Sequence, residues 1–172
     1  MKRQKMLCVD FVLFILLLVF DQFTKYLAVA KLKGQSAFVL INGVLELQYL
    51  ENRGSAFGML QGKKVFILLV GILFLAVIMF FLFRLPETKK FTIVHILLTL
   101  IVSGGIGNMI DRFRLDYVVD FISFVLIDYP IFNVADIYIV CGTVILFLLF
   151  LFVFKEEDLS FLSIRKKREQ GN

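Results

Sequence analysis

The sequence predicts an all-α membrane protein with four transmembrane helices and a small extracytoplasmic β-sheet between the first two helices. Its 172 residues are 60% hydrophobic and only 19% charged, whereas globular proteins are about 45–50% apolar and about 25% charged. Four apolar runs, separated by charged segments, each approach the roughly 20 residues that a helix needs to cross the hydrocarbon core. These two observations exclude an ordinary soluble domain, because one small core could not bury so much apolar surface.

The four apolar runs differ in how many charged residues they contain. The two central runs contain none, the last contains only Asp136, and the first contains Asp10, Asp21 and Lys25. We expect spans at about 7–30, 65–83, 91–110 and 131–154, a cytoplasmic tail at 155–172, and a single integral membrane domain over residues 1–172.

A cleaved signal peptide is the alternative interpretation of the first run. Basic residues precede the run, and Ala28-Val29-Ala30 resembles a cleavage site. However, Asp21 and Lys25 separate this tripeptide from the apolar stretch, so the spacing does not fit. We therefore expect the run to remain as the first span.

The basic residues set the orientation in the membrane. Eleven of the 19 lysines and arginines lie at the N-terminus, between spans two and three, or after span four. Cytoplasmic loops of membrane proteins carry such an excess of positive charge. We therefore expect both termini in the cytoplasm. The net charge of +5 is explained by membrane orientation rather than by binding to nucleic acid.

The segment between spans one and two predicts a small sheet. Residues 44–50 alternate in part between apolar and polar side chains, and turn-forming residues flank them at 42–43 and 52–54. We expect this sheet, within residues 31–64, to lie at the membrane surface. The segment 111–130, between spans three and four, is short and acidic, and we expect a loop there.

Ionisable and amide side chains collect at the ends of three spans. Charged groups at membrane depth are costly and mark functional sites. Because successive spans alternate in direction, the end of span one, the end of span three and the start of span four lie on one face of the membrane. These ends carry Asp21 and Lys25, then Asn108, Asp111 and Arg112, then Asn133 and Asp136, while Asn52 and Asp120 are in the loops on the same face. The sequence therefore predicts one polar layer near the outer membrane surface.

Several kinds of catalytic site are excluded by the residue content. The only histidine is His95 and the HExxH pattern is absent, so we expect no metal or cofactor. For His95, near the inner end of span three, we expect a packing or interface role rather than catalysis. Ser103 lies on the same predicted helix, about 12 Å from His95 along its axis, which is too far for direct proton transfer. Cys8 and Cys141 fall inside apolar runs at different depths, where we expect free, buried thiols.

The groups that remain are carboxylates. Asp120 and Asp136 flank the connection into span four, close enough in sequence for their side chains to face one another. Two adjacent carboxylates tend to share one proton, which leaves one acid and one base for cutting an amide. The alternative is an ion pair with Arg112 or Lys25, or a helix cap by Asp136, and spacing alone favours this alternative.

Small residues in span three allow a close approach to its backbone. The segment Ser103-Gly104-Gly105-Ile106-Gly107 would admit either a neighbouring helix or a substrate chain. The sequence leaves both interpretations open.

Five blocks of residues resemble, in order, the motifs of the lipoprotein signal peptidases, the bacterial signal peptidase II family. They span all of the chain except its cytoplasmic tail, and none departs from the family pattern at a motif position. The blocks are Asp21-Gln22-Phe23-Thr24-Lys25; Asn52-Arg53-Gly54-Ser55-Ala56-Phe57-Gly58; Gly104-Gly105-Ile106-Gly107-Asn108-Met109-Ile110-Asp111-Arg112; Val118-Val119-Asp120-Phe121; and Phe132-Asn133-Val134-Ala135-Asp136.

The resemblance implies an aspartyl endopeptidase of the bacterial cytoplasmic (inner) membrane, with its active site at the outer face. Such an enzyme removes the signal peptide from a prolipoprotein, just before a diacylglyceryl-modified cysteine, without a cofactor. Asp120 and Asp136 would be the catalytic pair, the sheet of residues 31–64 would form a cradle over them, and globomycin-type peptides would inhibit by occupying the pair. We expect a monomer in contact with membrane lipid. The residues implied to bind substrate or support the pair are Asp21, Lys25, Asn52, Gly54, Gly104, Asn108, Asp111, Arg112, Asn133 and Ala135.

A small ion- or proton-conducting membrane protein is the alternative function. It would need ionisable residues that continue across the bilayer. Spans two and four have none beyond Asp136, and Asp10 is isolated near the inner end of span one. A scaffold without chemistry would leave the outer polar layer unexplained.

Overall fold

Four long helices and one small sheet make up the fold. The structure, a computed structural model, describes residues 3–54, 60, 62–86 and 88–158. The helices are α1 (Arg3–Leu32), α2 (Lys64–Arg84), α3 (Lys89–Leu115) and α4 (Val134–Phe152), and all four are long and apolar enough to cross a membrane. The strands are β1 (Phe38–Ile41), β2 (Leu45–Asn52), β3 (Val118–Phe124) and β4 (Tyr129–Phe132). The predicted fold class is confirmed, although residues 55–58 of the second motif and most of the predicted tail lie outside the described residues.

The helices differ from the predicted spans at their ends. α1 and α3 continue to Leu32 and Leu115, so the charged end of each span is part of one continuous helix. α4 begins at Val134 rather than at 131, because Asn133 caps the helix and the two preceding residues belong to β4. The prediction was wrong here because an unbroken apolar run conceals the junction between a strand and a helix.

The sheet is antiparallel, with the strand order β1-β2-β3-β4. Its first half is the sheet expected within residues 31–64. Its second half comes from the connection between α3 and α4, where we expected a loop. That expectation was wrong because β3 opens with Val118 and Val119, which are buried and have the branched side chains that suit a buried strand.

The pairing of β2 with β3 brings two predicted site residues together. Leu50 lies opposite Asp120, and Asn52 lies opposite Val118. Side chains two positions apart on a strand project from the same face, as do directly paired residues. Asn52 and Asp120 therefore project from the same face of the sheet.

α3 is the central helix. In its most apolar window 61% of the residues are buried, against 11–17% in the other three helices. α1, α2 and α4 pack around it and carry exposed apolar side chains, such as Phe11, Leu73 and Phe152. Cys8 and Cys141 are free and exposed on α1 and α4, so the expectation of buried thiols was wrong.

The sequence suggested that Asp10 is isolated, but the structure gives it a partner. Its Oδ2 atom lies 2.8 Å from Nδ1 of His95 on α3, and both side chains are buried. His95 is buried between α1 and α3, in agreement with the expected packing or interface role, and it is the partner of a carboxylate there.

Gly104 brings α3 into close contact with α4. A Cβ atom at this position would overlap the main-chain oxygen of Ala135 and lie 2.9 Å from Cγ1 of Ile139. We expect Gly104→Ala to lower the free energy of unfolding by about 1–3 kcal/mol, because the backbone of α4 cannot move aside as a flexible side chain would. Thermal unfolding in detergent measures this loss.

Gly71→Ala, on α2, is the matched control. Its Cβ atom would make an ordinary 3.6 Å contact with Sδ of Met109. We expect unchanged or slightly higher stability, because alanine is the better helix former. Equal stabilities for the two variants would show that α3 and α4 are not packed as closely as described.

Candidate active site

The predicted polar layer assembles into one connected network beside a cavity of about 640 Å³. α1 contributes Asp21, Gln22 and Lys25; β2 contributes Asn52; α3 contributes Asn108, Asp111 and Arg112; β3 contributes Asp120; and the start of α4 contributes Asn133, Ala135 and Asp136. The described part of the chain contains no group of three or more His, Cys, Asp or Glu side chains arranged to hold a metal ion.

α4 begins with a reciprocal pair of hydrogen bonds. Asn133 Oδ1 accepts from the main-chain N–H of Asp136 (3.0 Å), and Asp136 Oδ2 accepts from the main-chain N–H of Asn133 (3.1 Å). Such a capping box satisfies amides that the first turn of a helix leaves free. The helix cap considered for Asp136 is therefore present. Its carboxylate is still half-buried in the cavity wall, at the helix end that favours negative charge.

Asp120 lies on β3 with only 1% of its surface exposed. Asn52 donates to its Oδ2 (2.8 Å) and Asn133 donates to its Oδ1 (2.6 Å). Burial, and then the negative charge of Asp136, raise the pKa of Asp120 to about 6, although the two amide donors act in the opposite direction. Asp120 therefore holds a proton far more readily than an ordinary aspartate.

Two asparagines connect the carboxyl groups. The side-chain amide that Asn133 donates to Asp120 also donates to Oδ1 of Asn108 (3.1 Å). Asn108 in turn donates through Nδ2 to Oδ1 of Asp136 (2.8 Å). Asp120 and Asp136 both line the cavity. The side-chain amides of Asn133 and Asn108 link them in one continuous chain of hydrogen bonds.

Lys25 is a buried cation with 3% of its surface exposed. Its Nζ lies 3.1 Å from Oδ2 of Asp21, 3.0 Å from Oδ2 of Asp111 and 2.8 Å from Oδ1 of Asn108. These contacts use all three ammonium protons. Lys25 therefore forms its ion pairs with Asp21 and Asp111 rather than with Asp120 or Asp136, which line the cavity.

Arg112 joins α3 to the end of β2. It donates to the carbonyl oxygens of Asn108 (3.2 Å) and Gly54 (2.8 Å), and the N–H of Gly54 donates to Oδ1 of Asn52 (3.0 Å). Among the described residues, Arg112 forms no ion pair with either cavity carboxyl group. Its contacts orient Asn52, which donates to Asp120.

Asp21 ties α1 to the start of α4. Its Oδ1 accepts from the main-chain N–H of Ala135 (3.1 Å), and a Cβ atom at Gly107 would overlap its Oδ2. Gln22 donates to Asp21 (3.1 Å), to the carbonyl of Gly107 (3.3 Å) and to Asp111 (3.1 Å). Gln22 and Gly107 belong to this network but were not among the predicted site residues. The available signal was their position inside two of the motif blocks.

The two interpretations of the glycine segment apply to different residues. Gly104 packs α3 against α4, whereas Gly105 lines the cavity, where its Cβ would meet Leu75 at 2.9 Å. Of the predicted site residues, only Gly104 lies outside the hydrogen-bonded network.

Comparison with known proteins identifies the family. The sequence profile described as signal peptidase (SPase) II matches residues 13–152, which is most of the chain. The chain belongs to the signal peptidase II family. It is therefore a multi-pass bacterial membrane peptidase, and the alternative of an ion-conducting protein is not favoured.

Individual relatives and solved structures agree with this membership. The lipoprotein signal peptidase of Caldanaerobacter subterraneus subsp. tengcongensis is 44% identical over 132 residues, which are 77% of this chain and 88% of that protein. The lipoprotein signal peptidase of Clostridium tetani is 38% identical over 151 residues, which are 86% of this chain and 94% of that protein. A bacterial membrane enzyme solved by the in meso method at 2.3 Å resolution is similar with a TM-score of 0.74 and 27% identity, over 92% of this chain and 93% of that one.

Proposed function

We propose that this signal peptidase II family member is an aspartyl endopeptidase that removes signal peptides from diacylglyceryl-modified prolipoproteins, cutting just before the lipidated cysteine. The observation that carries the proposal is the placement of Asp120 and Asp136 on one cavity, joined by amides and free of ion pairs with Lys25 or Arg112. Two such carboxyl groups can divide the roles of acid and base.

In the proposed reaction Asp136 is the base and Asp120 the acid. A water molecule gives a proton to the Asp136 carboxylate as its oxygen attacks the scissile carbonyl carbon, while the proton on Asp120 hydrogen-bonds to the carbonyl oxygen. Asp136 then passes its proton to the amide nitrogen, and the C–N bond breaks. The products are a signal peptide with a new carboxyl group and a lipidated cysteine with a free amine.

The cavity walls suit a substrate that is linked to lipid. Its polar end is at the sheet, and apolar side chains that include Phe74, Leu75 and Ile139 line the part between the helices. An acyl chain can therefore remain in an apolar environment while the peptide bond reaches the carboxyl groups. We propose a monomer as the active unit.

The orientation proposed for the protein places this site at the outer face of the cytoplasmic membrane. Both termini would be cytoplasmic, in accordance with the excess of basic residues on that side. The four helices and the sheet would form one integral membrane peptidase domain over residues 1–172.

Cleavage of matched lipidated and unlipidated substrates tests this function. Purified protein is incubated with a prolipoprotein that carries the diacylglyceryl group and with the same chain lacking it. We expect release of the signal peptide from the lipidated form only, and loss of release when a globomycin-type peptide is added. Equal cleavage of both forms would refute the substrate class, and cleavage of neither would refute the function.

The pH dependence of cleavage follows from the pKa of Asp120. This carboxyl group is protonated below about pH 6 and loses its proton as pH rises through that value. Because the proposed acid must carry the proton, we expect kcat/KM to fall by up to about tenfold per pH unit above pH 6. Initial rates from about pH 5 to 8 measure this limb, with Asp128→Asn as the matched control because Asp128 is exposed. A flat profile would contradict the assignment of Asp120 as the acid.

A further inference from the structure

A second polar cluster lies in the α1–α3 interface, far along α3 from the candidate active site. Nδ1 of His95 lies 2.8 Å from Oδ2 of Asp10, and the two residues are 3% and 5% exposed. About 24 Å of helix separates His95 from Asp111 in the polar network. Ionisable groups at membrane depth are costly, and the proposed reaction gives this pair no part.

Side-chain contacts join α1 to α3 at both ends of this interface. Asp10 with His95, and Gln22 with Gly107, join residues 85 positions apart, and Gln22 also contacts Asp111, 89 positions away. Further along, Lys25 contacts Asn108, 83 positions away. α1 and α3 therefore run parallel and remain in contact from Asp10 to Lys25. A rotation of α1, or a shift of one residue, would break the contacts at both ends.

The pair is poorly built for stability alone. Oδ1 of Asp10, Nε2 of His95 and Oγ1 of Thr99 are buried with no hydrogen-bond partner among the described residues. Buried polar groups without partners lower stability. Replacing a buried pair by apolar side chains of similar volume is often neutral or stabilising, whereas directional polar pairs fix register in helical assemblies.

We propose that Asp10 and His95 are positioning residues that fix the rotation and register of α1 against α3, and thereby place Asp21 and Lys25 in the candidate active site. Asp10, Asp21 and Lys25 all lie on the buried face of α1. Asp21 accepts from the first turn of α4, and Lys25 contacts the asparagine that donates to Asp136. This proposal rests on the proposed function, because the expected effect is on the rate of cleavage.

The double variant Asp10→Leu/His95→Leu tests the proposal. It replaces the two polar side chains with apolar ones, so the interface stays filled. We expect a thermal unfolding midpoint in detergent at or above that of the wild type. We also expect kcat for the lipidated prolipoprotein to fall at least about tenfold with KM within about twofold, because small misplacements of supporting groups slow the chemical step.

Two further variants make this result specific. Asp10→Asn keeps a side-chain amide that can hydrogen-bond to Nδ1 of His95 in either tautomer, so we expect kcat within about threefold of the wild type. Thr99→Val removes a buried polar atom without releasing the pair, and we expect no change in kcat. Wild-type kcat in the double variant, or a midpoint far below that of the wild type, would overturn the positioning role.

The native cysteines provide a readout that does not depend on cleavage. Cys8 on α1 and Cys141 on α4 are the only two cysteines, and both are exposed for spin labelling. We expect a narrow distance distribution in the wild type and in Asp10→Asn, and a shifted or broadened one in the double variant. An unchanged distribution would overturn the proposal. A shifted distribution in a protein whose wild type cleaves no substrate would support this register and refute only the proposed function.

Discussion

Asp120→Asn and Asp136→Asn will each reduce kcat for a lipidated prolipoprotein by at least about 10³-fold. In the proposed reaction one carboxyl group takes the proton of the attacking water and the other donates to the carbonyl oxygen, and an amide can do neither. We expect both variants to stay folded, because asparagine keeps the shape of the side chain and removes the repulsion between two neighbouring carboxylates. Initial cleavage rates and thermal unfolding in detergent measure the two effects separately.

The control for this prediction lies on the same connection between α3 and α4. Asp128 is exposed, and its positive φ of 50° is one that asparagine adopts readily. Asp128→Asn should therefore cleave at the wild-type rate. If Asp120 and Asp136 act as one unit, the double variant Asp120→Asn/Asp136→Asn will be no slower than either single variant. A multiplied loss in the double variant would show that the two carboxyl groups act independently.

Lys25→Met will lower the free energy of unfolding by about 3–5 kcal/mol. The ammonium group is buried among Asp21, Asp111 and Asn108, and methionine fills a similar volume without charge. Two buried carboxylates then lack their cation, which is far more costly than losing an exposed ion pair. Unfolding of the purified protein by denaturant in detergent measures the loss.

Lys33→Met is the matched control for this substitution. Lys33 pairs with Glu51 at 3.0 Å, but the two side chains are 51% and 29% exposed. We expect a change of no more than about 1 kcal/mol, because solvent screens such a pair. Similar losses in Lys25→Met and Lys33→Met would show that the buried cation does not hold the network together.

The polar side chains that gather beside the cavity could be predicted from the sequence because their chemical types are unusual at membrane depth. Asp21, Lys25 and Asp136 interrupt apolar runs, and the alternating direction of the spans places them on one face of the membrane. The sequence could not predict which groups pair. Lys25 lies between Asp21 and Asp111, not beside Asp120, because the packing of α1 on α3 decides its partners.

Strands, helices and loops could not be distinguished from the sequence where their compositions are similar. Residues 131–132 end β4 but extend the apolar run of α4, and only the cap at Asn133 marks the boundary. The acidic composition of segment 111–130 indicated a loop, although β3 and the start of β4 form there. The contact of Asp10 with His95 joins two helices and leaves no local signal in the sequence.

The most direct test of the central claim is mass spectrometry of a diacylglyceryl-modified prolipoprotein before and after incubation with the purified protein. We predict two products whose masses add up to the substrate plus one water, the larger beginning at the lipidated cysteine with a free amine. We further predict that Asp120→Asn and Asp136→Asn leave the substrate intact. Cleavage at another bond, or the same products at a similar rate from either variant, would contradict the assignment of these two aspartates as the catalytic pair.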